Sequence, residues 1–331
     1  MKLEFFKSIL RQYKAKKRNK LYAAFLESCC DNTMTVQGMV DFGHRVMRKA
    51  RIHPHFFGQN SLLATAYYLT FFYLKLPHEY TNPQYINATV TAAEAAGIIA
   101  LFEKRISERM PVEYITNESW YCGNKFYVTP DVLVPRSIMN YRFTDFLNAM
   151  QWENYRVLDL CTGSGCIGIT LALQNPRIKV DLVDISAQAL AVAAINIKNH
   201  DLQDRVTCIQ SNVFENVKDK YDLIITNPPY ATNAEYNTCP AEFKNEPRIA
   251  ITCGTDGLMI IHQILRQAKQ HLNPQGKLIA EVGYSAAKRL KKQYRKVPFQ
   301  WFKYRRPTGK ESLFGMHGVF LCEAKGLPDL R

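Results

Sequence analysis

Apolar positions recur along this chain in two rhythms, and the change between them falls near residue 110. Before it the spacing is helical. Phe6, Ile9, Leu10 and Tyr13 recur at three- and four-residue intervals, as do Val90, Ala93, Ala96, Gly97 and Ala100. The most apolar stretch, "LLATAYYLTFFYLKL" (62–76), is shorter than the roughly 18 residues a membrane span needs and carries Lys75, so it predicts a core helix. Pro111 is expected to close this helical domain, 1–110.

Beyond it the rhythm shortens. "WYCGNKFYV" (120–128) alternates around Gly123-Asn124 and predicts a β-hairpin within a linker, 111–137. Five apolar runs then read as strands: "RVLDL" (156–160), "KVDLVDI" (179–185), "RVTCI" (205–209), "YDLIIT" (221–226) and "KLIAEVG" (277–283). Helical stretches at 186–200 and 257–272 lie between them, and "VPFQWFKYR" (297–305) with "GVFLCEA" (318–324) predicts a closing antiparallel pair. Nearly unbroken apolar strands separated by helices imply an α/β domain over 138–331, a doubly wound parallel sheet covered on both faces.

The net charge of +14 sits at the two ends. Residues 1–110 hold 16 Lys or Arg against 8 Asp or Glu, 111–284 hold 15 against 18, and 285–331 hold 12 against 3. A basic exterior around a neutral centre points to polyanion contact by the flanks and chemistry on something uncharged in the middle. Nine cysteines show no paired framework, which fits a reducing cytoplasm. The first twenty residues spread their charges and predict no secretory signal. His53 and His55 form the one histidine cluster and read as a solvated turn, so no metal site is expected.

Two loops carry candidate chemistry. The first strand runs into "DLCTGSGCIG" (159–168), with Gly163, Gly165 and Gly168 spaced as G-x-G-x-x-G, and Asp184 ends the next strand. Glycines let a ligand approach the backbone and a carboxylate there can accept from ribose hydroxyls, so the pair fits an adenosine cofactor. It does not separate a dinucleotide from S-adenosylmethionine. No Lys-Ser or Lys-Thr follows the glycines, against a phosphate-cradling loop.

The second loop, "NPPY" (227–230), follows the fourth strand at the edge where open parallel sheets bind ligands. Pro228 and Pro229 have no N–H, so the loop offers acceptors without competing donors. The Asn227 side-chain oxygen and the Pro228 carbonyl suit a planar –NH₂ group, which has two donors to give, and Tyr230 would pack on its flat face. An amide or aromatic amine nitrogen is a poor nucleophile. Holding both N–H bonds aims its lone pair at an electrophilic methyl, and orientation can contribute roughly 7–11 kcal/mol.

With these residues in place the chain resembles the class I S-adenosylmethionine-dependent methyltransferases, seven-stranded enzymes that act here on amino nitrogens. "PVEYITNESWYCGNKFYVTPDVLVPRS" (111–137), "NEPRIAITCGTDGL" (245–258) and "EVGYSA" (281–286) narrow the resemblance to the HemK-related protein-glutamine methyltransferases, in the PrmB branch that methylates a ribosomal protein. The resemblance implies cofactor contacts at Cys161, Thr162, Gly163, Ser164, Gly165, Asp184, Asn212 and Asn227, with S-adenosylhomocysteine as product. It implies substrate contacts at Arg136, Asn227, Pro228, Pro229 and Tyr230, a large-subunit ribosomal protein as substrate, and ribosomal RNA beside the basic flanks.

The chain departs from that family in three places. Asn212 stands where the family has Asp, Asn140 and Tyr141 follow Arg136 where an acidic residue is usual, and "RRPTGKESLFGMHG" (305–318) replaces a short glycine-rich turn, while the first thirty residues add a basic extension. Two other readings remain open: an adenine amino methyltransferase acting on RNA or DNA, and a weakly active RNA-binding assembly factor.

Overall fold

The computed structural model describes residues 35–54, 62–139, 154–302 and 318–328. The expected helix around Phe6 to Tyr13, the basic extension, His55, Asn140, Tyr141 and residues 305–317 lie outside the described residues. Two compact units follow one another, up to Thr116 and from Asn117 onward. Among the described residues no helix is long and apolar enough to cross a membrane.

The first unit is helical: α1 (Val36–Lys49), α2 (Leu62–Leu74), α3 (Pro83–Ile86), α4 (Ala92–Ser107) and α5 (Val112–Thr116). Its core is built from Met39, Val40, Leu69, Ile98 and Phe102. The buried face of α4 is Ala95, Ile98, Ile99, Phe102 and Arg105, so Ala93 and Ala100, expected on that face, are exposed. Alanine tolerates either environment, whereas Ile and Phe do not, and the larger side chains set the face. A Thr91–Glu94 capping box starts this helix.

The second unit opens with the hairpin, β1 (Glu118–Tyr121) and β2 (Asn124–Tyr127). Tyr121 pairs with Asn124, so the turn is Cys122-Gly123, one residue before the expected position. Both turn residues have positive φ, 51° and 78°, as a two-residue hairpin turn requires.

The rest is β3 (Arg156–Leu160), α6 (Cys166–Gln174), β4 (Lys179–Asp184), α7 (Ala187–Asn199), β5 (Val206–Gln210), β6 (Tyr221–Thr226), α8 (Asn233–Asn237), α9 (Met259–Gln267), β7 (Leu272–Val282), α10 (Tyr284–Gln293), β8 (Gln300–Phe302) and β9 (Gly318–Glu323). The sheet order is β5-β4-β3-β6-β7-β9-β8. β5, β4, β3, β6 and β7 run parallel, while β9 pairs antiparallel with both β7 and β8. The expected single helix over 257–272 is shorter: α9 gives way to a 3₁₀ turn at Ala268–His271, and β7 begins at Leu272.

Alternation along the strands fills both faces. Val157, Val180, Leu182, Leu223 and Ile225 pack with Ile169 and Ala172 of α6 and Ala193 and Ile197 of α7. Leu158, Leu160, Val183, Ile224 and Leu278 pack with Ile264 and Leu265 of α9 and Leu290 of α10. The strand order reverses between β3 and β6. In open parallel sheets a ligand crevice forms at that reversal, outside the carboxyl ends of the strands.

Candidate active site

A cavity of about 310 Å³ occupies that crevice. It is lined by the glycine loop after β3, the ends of β4 and β5, Asn227 and Pro229 after β6, residues 131–137, and parts of 247–260. The volume lies within the range of about 300–1,000 Å³ usual for small-ligand sites.

The three glycines divide their work. Gly163 has φ 57° and open space where a Cβ would stand, so its backbone faces the cavity. A Cβ on Gly168 would lie 2.4 Å from Leu182 and 3.1 Å from Asp159, so this glycine lets α6 pack tightly on the sheet. Gly165 is also packed, against Ile169 and Leu182, and is not among the cavity-lining residues.

Two carboxylates hold the loop. Asp184 Oδ2 accepts from the Gly163 N–H at 2.9 Å and its Oδ1 from Ser186 N–H at 3.0 Å, which ties the end of β4 to the glycine loop. Burial raises its pKa against these bonds. Asp159 Oδ2 accepts from Thr162 Oγ1 at 2.7 Å and from Gly168 N–H at 2.9 Å, while its Oδ1 is buried without a partner among the described residues. Burial pushes the Asp159 carboxyl from its ordinary 3.8 up to about 7.

A folded pKa above the unfolded one gives a stabilisation present in full below pH 3.8 and lost as pH rises through about 7. Asp159→Asn keeps one acceptor oxygen for Thr162 and Gly168 and no longer titrates. Thermal melts of the variant between pH 4 and 8 are therefore expected to show a flatter fall in Tm than the parent; parallel curves would remove Asp159 from this role.

Cys161 also carries positive φ, 58°, at the head of the loop. Burial pushes its thiol pKa up, as it does for Cys166, so neither is activated as a thiolate nucleophile.

Asn227 lines the cavity, and its Oδ1 is buried with no hydrogen-bond partner among the described residues. Such orphans cost about 1–3 kcal/mol and mark a place where a donor is wanted. Pro229 lines the same wall, while Pro228 is buried and Tyr230 lies outside the lining. The Tyr230 ring sits where a side chain on Gly283 would be, 2.8 Å from that glycine's Cβ position, and its hydroxyl donates to Glu281 Oε1 at 3.4 Å. Tyr230 therefore buttresses the loop from behind, instead of lying over a target group.

Residues 131–137 are fixed by two buried carboxylates, Glu246 and Glu281, which stand in the quoted family motifs but were given no role there. Glu246 accepts from Arg136 at 2.5 Å and from Val134 N–H at 3.0 Å, and the Arg136 guanidinium stands over the Phe243 ring at 5.6 Å. Glu281 accepts from Ser137 Oγ at 2.6 Å and from Ile138 N–H at 3.1 Å. Arg136 reaches the cavity as part of this ion-paired wall. Asn196, fully buried on α7, makes a third unsuspected tie: it bonds Tyr127 N–H and O at 2.7 and 2.9 Å and donates to Ser164 O at 2.9 Å, joining the hairpin to the glycine loop. A lone polar residue inside an apolar run was the only signal of Asn196 in the sequence.

The cavity thus gathers Arg136, Cys161, Thr162, Gly163, Ser164, Asp184, Asn212, Asn227 and Pro229. At its mouth stand Ile185, Ile249 and Met259, exposed by 49%, 58% and 59%, an apolar rim around a polar floor.

The methyltransferase small domain family matches residues 144–243. A ribosomal protein uL3 glutamine methyltransferase of Xanthomonas campestris pv. campestris is 40% identical over 259 residues, 77% of this chain and 80% of that protein. Proteins of the same description from Neisseria gonorrhoeae and Neisseria meningitidis serogroup B are 38% and 37% identical over 241 residues, 71% of this chain and 79% and 78% of theirs. With its seven-stranded class I methyltransferase sheet, the chain belongs to the family of ribosomal protein uL3 glutamine methyltransferases.

Proposed function

We propose that this protein transfers a methyl group from S-adenosylmethionine to the side-chain amide nitrogen of a glutamine in large-subunit ribosomal protein uL3, in the cytoplasm. The observation that carries the reading is the buried, unpartnered Asn227 Oδ1 at the wall of the cavity. It is an acceptor with no donor, beside a Pro-Pro pair that supplies none, and a primary amide brings the missing N–H.

The lining residues fit the cofactor. Asp184 at the end of β4 offers carboxylate lone pairs to ribose hydroxyls, Gly163 presents open backbone, and Asn212 lies at the end of β5. When bound, S-adenosylmethionine supplies an electrophilic methyl whose bond to sulfur breaks with the electron pair left on sulfur. Asn227 Oδ1 and the Pro228 carbonyl hold the two N–H bonds of the target and leave its lone pair free to form the new C–N bond. The nitrogen then carries one proton too many and loses it to water. No side chain is needed as general base.

Asp184→Ala is expected to weaken S-adenosylmethionine binding by about 1.5–3 kcal/mol, as for a hydrogen bond to a charged group. Calorimetric titration reads this directly, and unchanged affinity would take Asp184 out of the cofactor site.

The basic flanks fit a substrate met beside ribosomal RNA. Arg45, Arg48 and Lys49 end α1, and Lys288, Lys291 and Lys292 line α10. Contacts of this kind are sequence-independent and weaken steeply with salt.

The deciding experiment gives ribosomal precursor particles methyl-labelled cofactor and follows the label through digestion. Label lost to protease, with uL3 gaining one methyl mass on a glutamine, supports the proposal. Label lost only to nuclease would replace it with adenine methylation.

A further inference from the structure

The departure at Asn212 has its compensation three residues on. Asn212 Nδ2 donates to Glu215 Oε1 at 2.7 Å, and the Glu215 N–H donates to Asn212 O at 3.2 Å, closing a tight turn. A carboxylate has only acceptors, so the amide must turn its nitrogen toward Glu215. That leaves Asn212 Oδ1 as the other end of an amide on a cavity-lining residue. Between the two sits Val213, with φ 52°, a left-handed conformation costly for a β-branched residue. Val213 is buried and also lines the cavity. Among the described residues none accepts a hydrogen bond from its N–H.

We infer that Glu215 is a positioning residue for cofactor recognition: it locks the Asn212 amide with its oxygen as an acceptor beside the Val213 N–H donor, a pair that selects adenine over hypoxanthine. The inference rests on the proposed adenosine cofactor and adds to it the device by which Asn serves where the resembled family has Asp. Adenine offers an amino donor at C6 and an acceptor at N1. Hypoxanthine offers a carbonyl and an N–H at the same places, the reverse pattern. A site built to bond one edge rejects its inverse because its own polar groups are left unpaired.

Glu215 is exposed, so its replacement leaves the core intact. Lysine has only donors. In Glu215→Lys the Asn212 amide turns its oxygen to residue 215 and its nitrogen to the ligand. The measurement is the ratio of dissociation constants for S-adenosylhomocysteine and its deaminated, hypoxanthine-bearing analogue. The two ligands carry the same charge, so any general electrostatic effect of the lysine cancels in the ratio.

The parent is expected to favour the adenine form by at least ~10-fold. In Glu215→Lys the preference falls to about unity or reverses. The double variant Asn212→Asp with Glu215→Gln, in which the glutamine amide donates to the aspartate, restores it. A ratio unchanged in Glu215→Lys overturns the lock while leaving the cofactor reading in place. A parent protein that binds neither compound overturns both.

Discussion

Asn227→Ala is expected to abolish at least 99% of turnover, about 2.7 kcal/mol of transition-state stabilisation, while the folded protein becomes more stable. The two effects have one cause. Asn227 Oδ1 is a buried acceptor with no donor among the described residues, and removing such a group recovers about 1 kcal/mol or more. The same removal deprives the target amide of one of its two acceptors, so its lone pair is no longer held in line. Cofactor affinity should stay close to that of the parent. Steady-state kinetics with saturating cofactor, a thermal melt and a calorimetric titration on the same preparation separate the three quantities. A variant that loses cofactor binding and turnover equally would show that Asn227 serves the cofactor instead, and a lower Tm would show that its oxygen is not a destabilising unpaired acceptor.

Much of this site was legible in the sequence, and the parts that were not share a physical reason. β3 and β6 were readable to the residue because central parallel strands are buried on both faces and so read as nearly unbroken apolar runs. The serial position of Asn227 after the fourth strand then placed it at the crevice without any structural information. The wall opposite was not legible. Glu246 holds Arg136 across 110 residues and Glu281 holds Ser137 across 144, and no local pattern announces partners at that separation.

The tie between Asn212 and Glu215 failed to be read for a different reason. They are three residues apart, but the consequence lies in which end of an amide faces a carboxylate, and that depends on the turn that Val213 makes at φ 52°. Tyr230 was misplaced because the direction of a ring after two prolines is set by what leaves room for it. Gly283, far along the chain, leaves that room. Glu246, Glu281, Asn196 and Glu215 each hold a cavity-lining residue through a contact that spacing rules do not encode.

Gly257→Ala is expected to be the most damaging of the small substitutions, and Gly254→Ala is its control. Both glycines have positive φ, 71° and 69°, so an alanine at either pays about 1–2 kcal/mol for the left-handed backbone. They differ in what the new methyl meets. At Gly254 there is nothing within 4 Å, whereas at Gly257 the Cβ would lie 2.2 Å from the Tyr230 carbonyl oxygen and 3.1 Å from its carbon. Those are backbone atoms and cannot rotate away. They belong to the loop that carries Asn227, and the segment beyond is bonded to the same stretch through Ala231 N–H to Ile251 O at 3.0 Å and Cys253 N–H to Ala231 O at 2.8 Å. Relief of the clash must therefore displace the acceptor pair. Overpacking of this kind costs about 1–3 kcal/mol, for a total of about 2–5 kcal/mol and a fall in Tm of about 4–20 °C at this domain size. Turnover in Gly257→Ala should drop at least ~10-fold, because a misplacement near 1 Å already costs that much or more. Gly254→Ala should lose only the smaller increment of stability and keep parental kinetics. Equal effects at the two positions would mean that Gly257 matters for its backbone angle alone and that the Asn227 loop is not braced from this side.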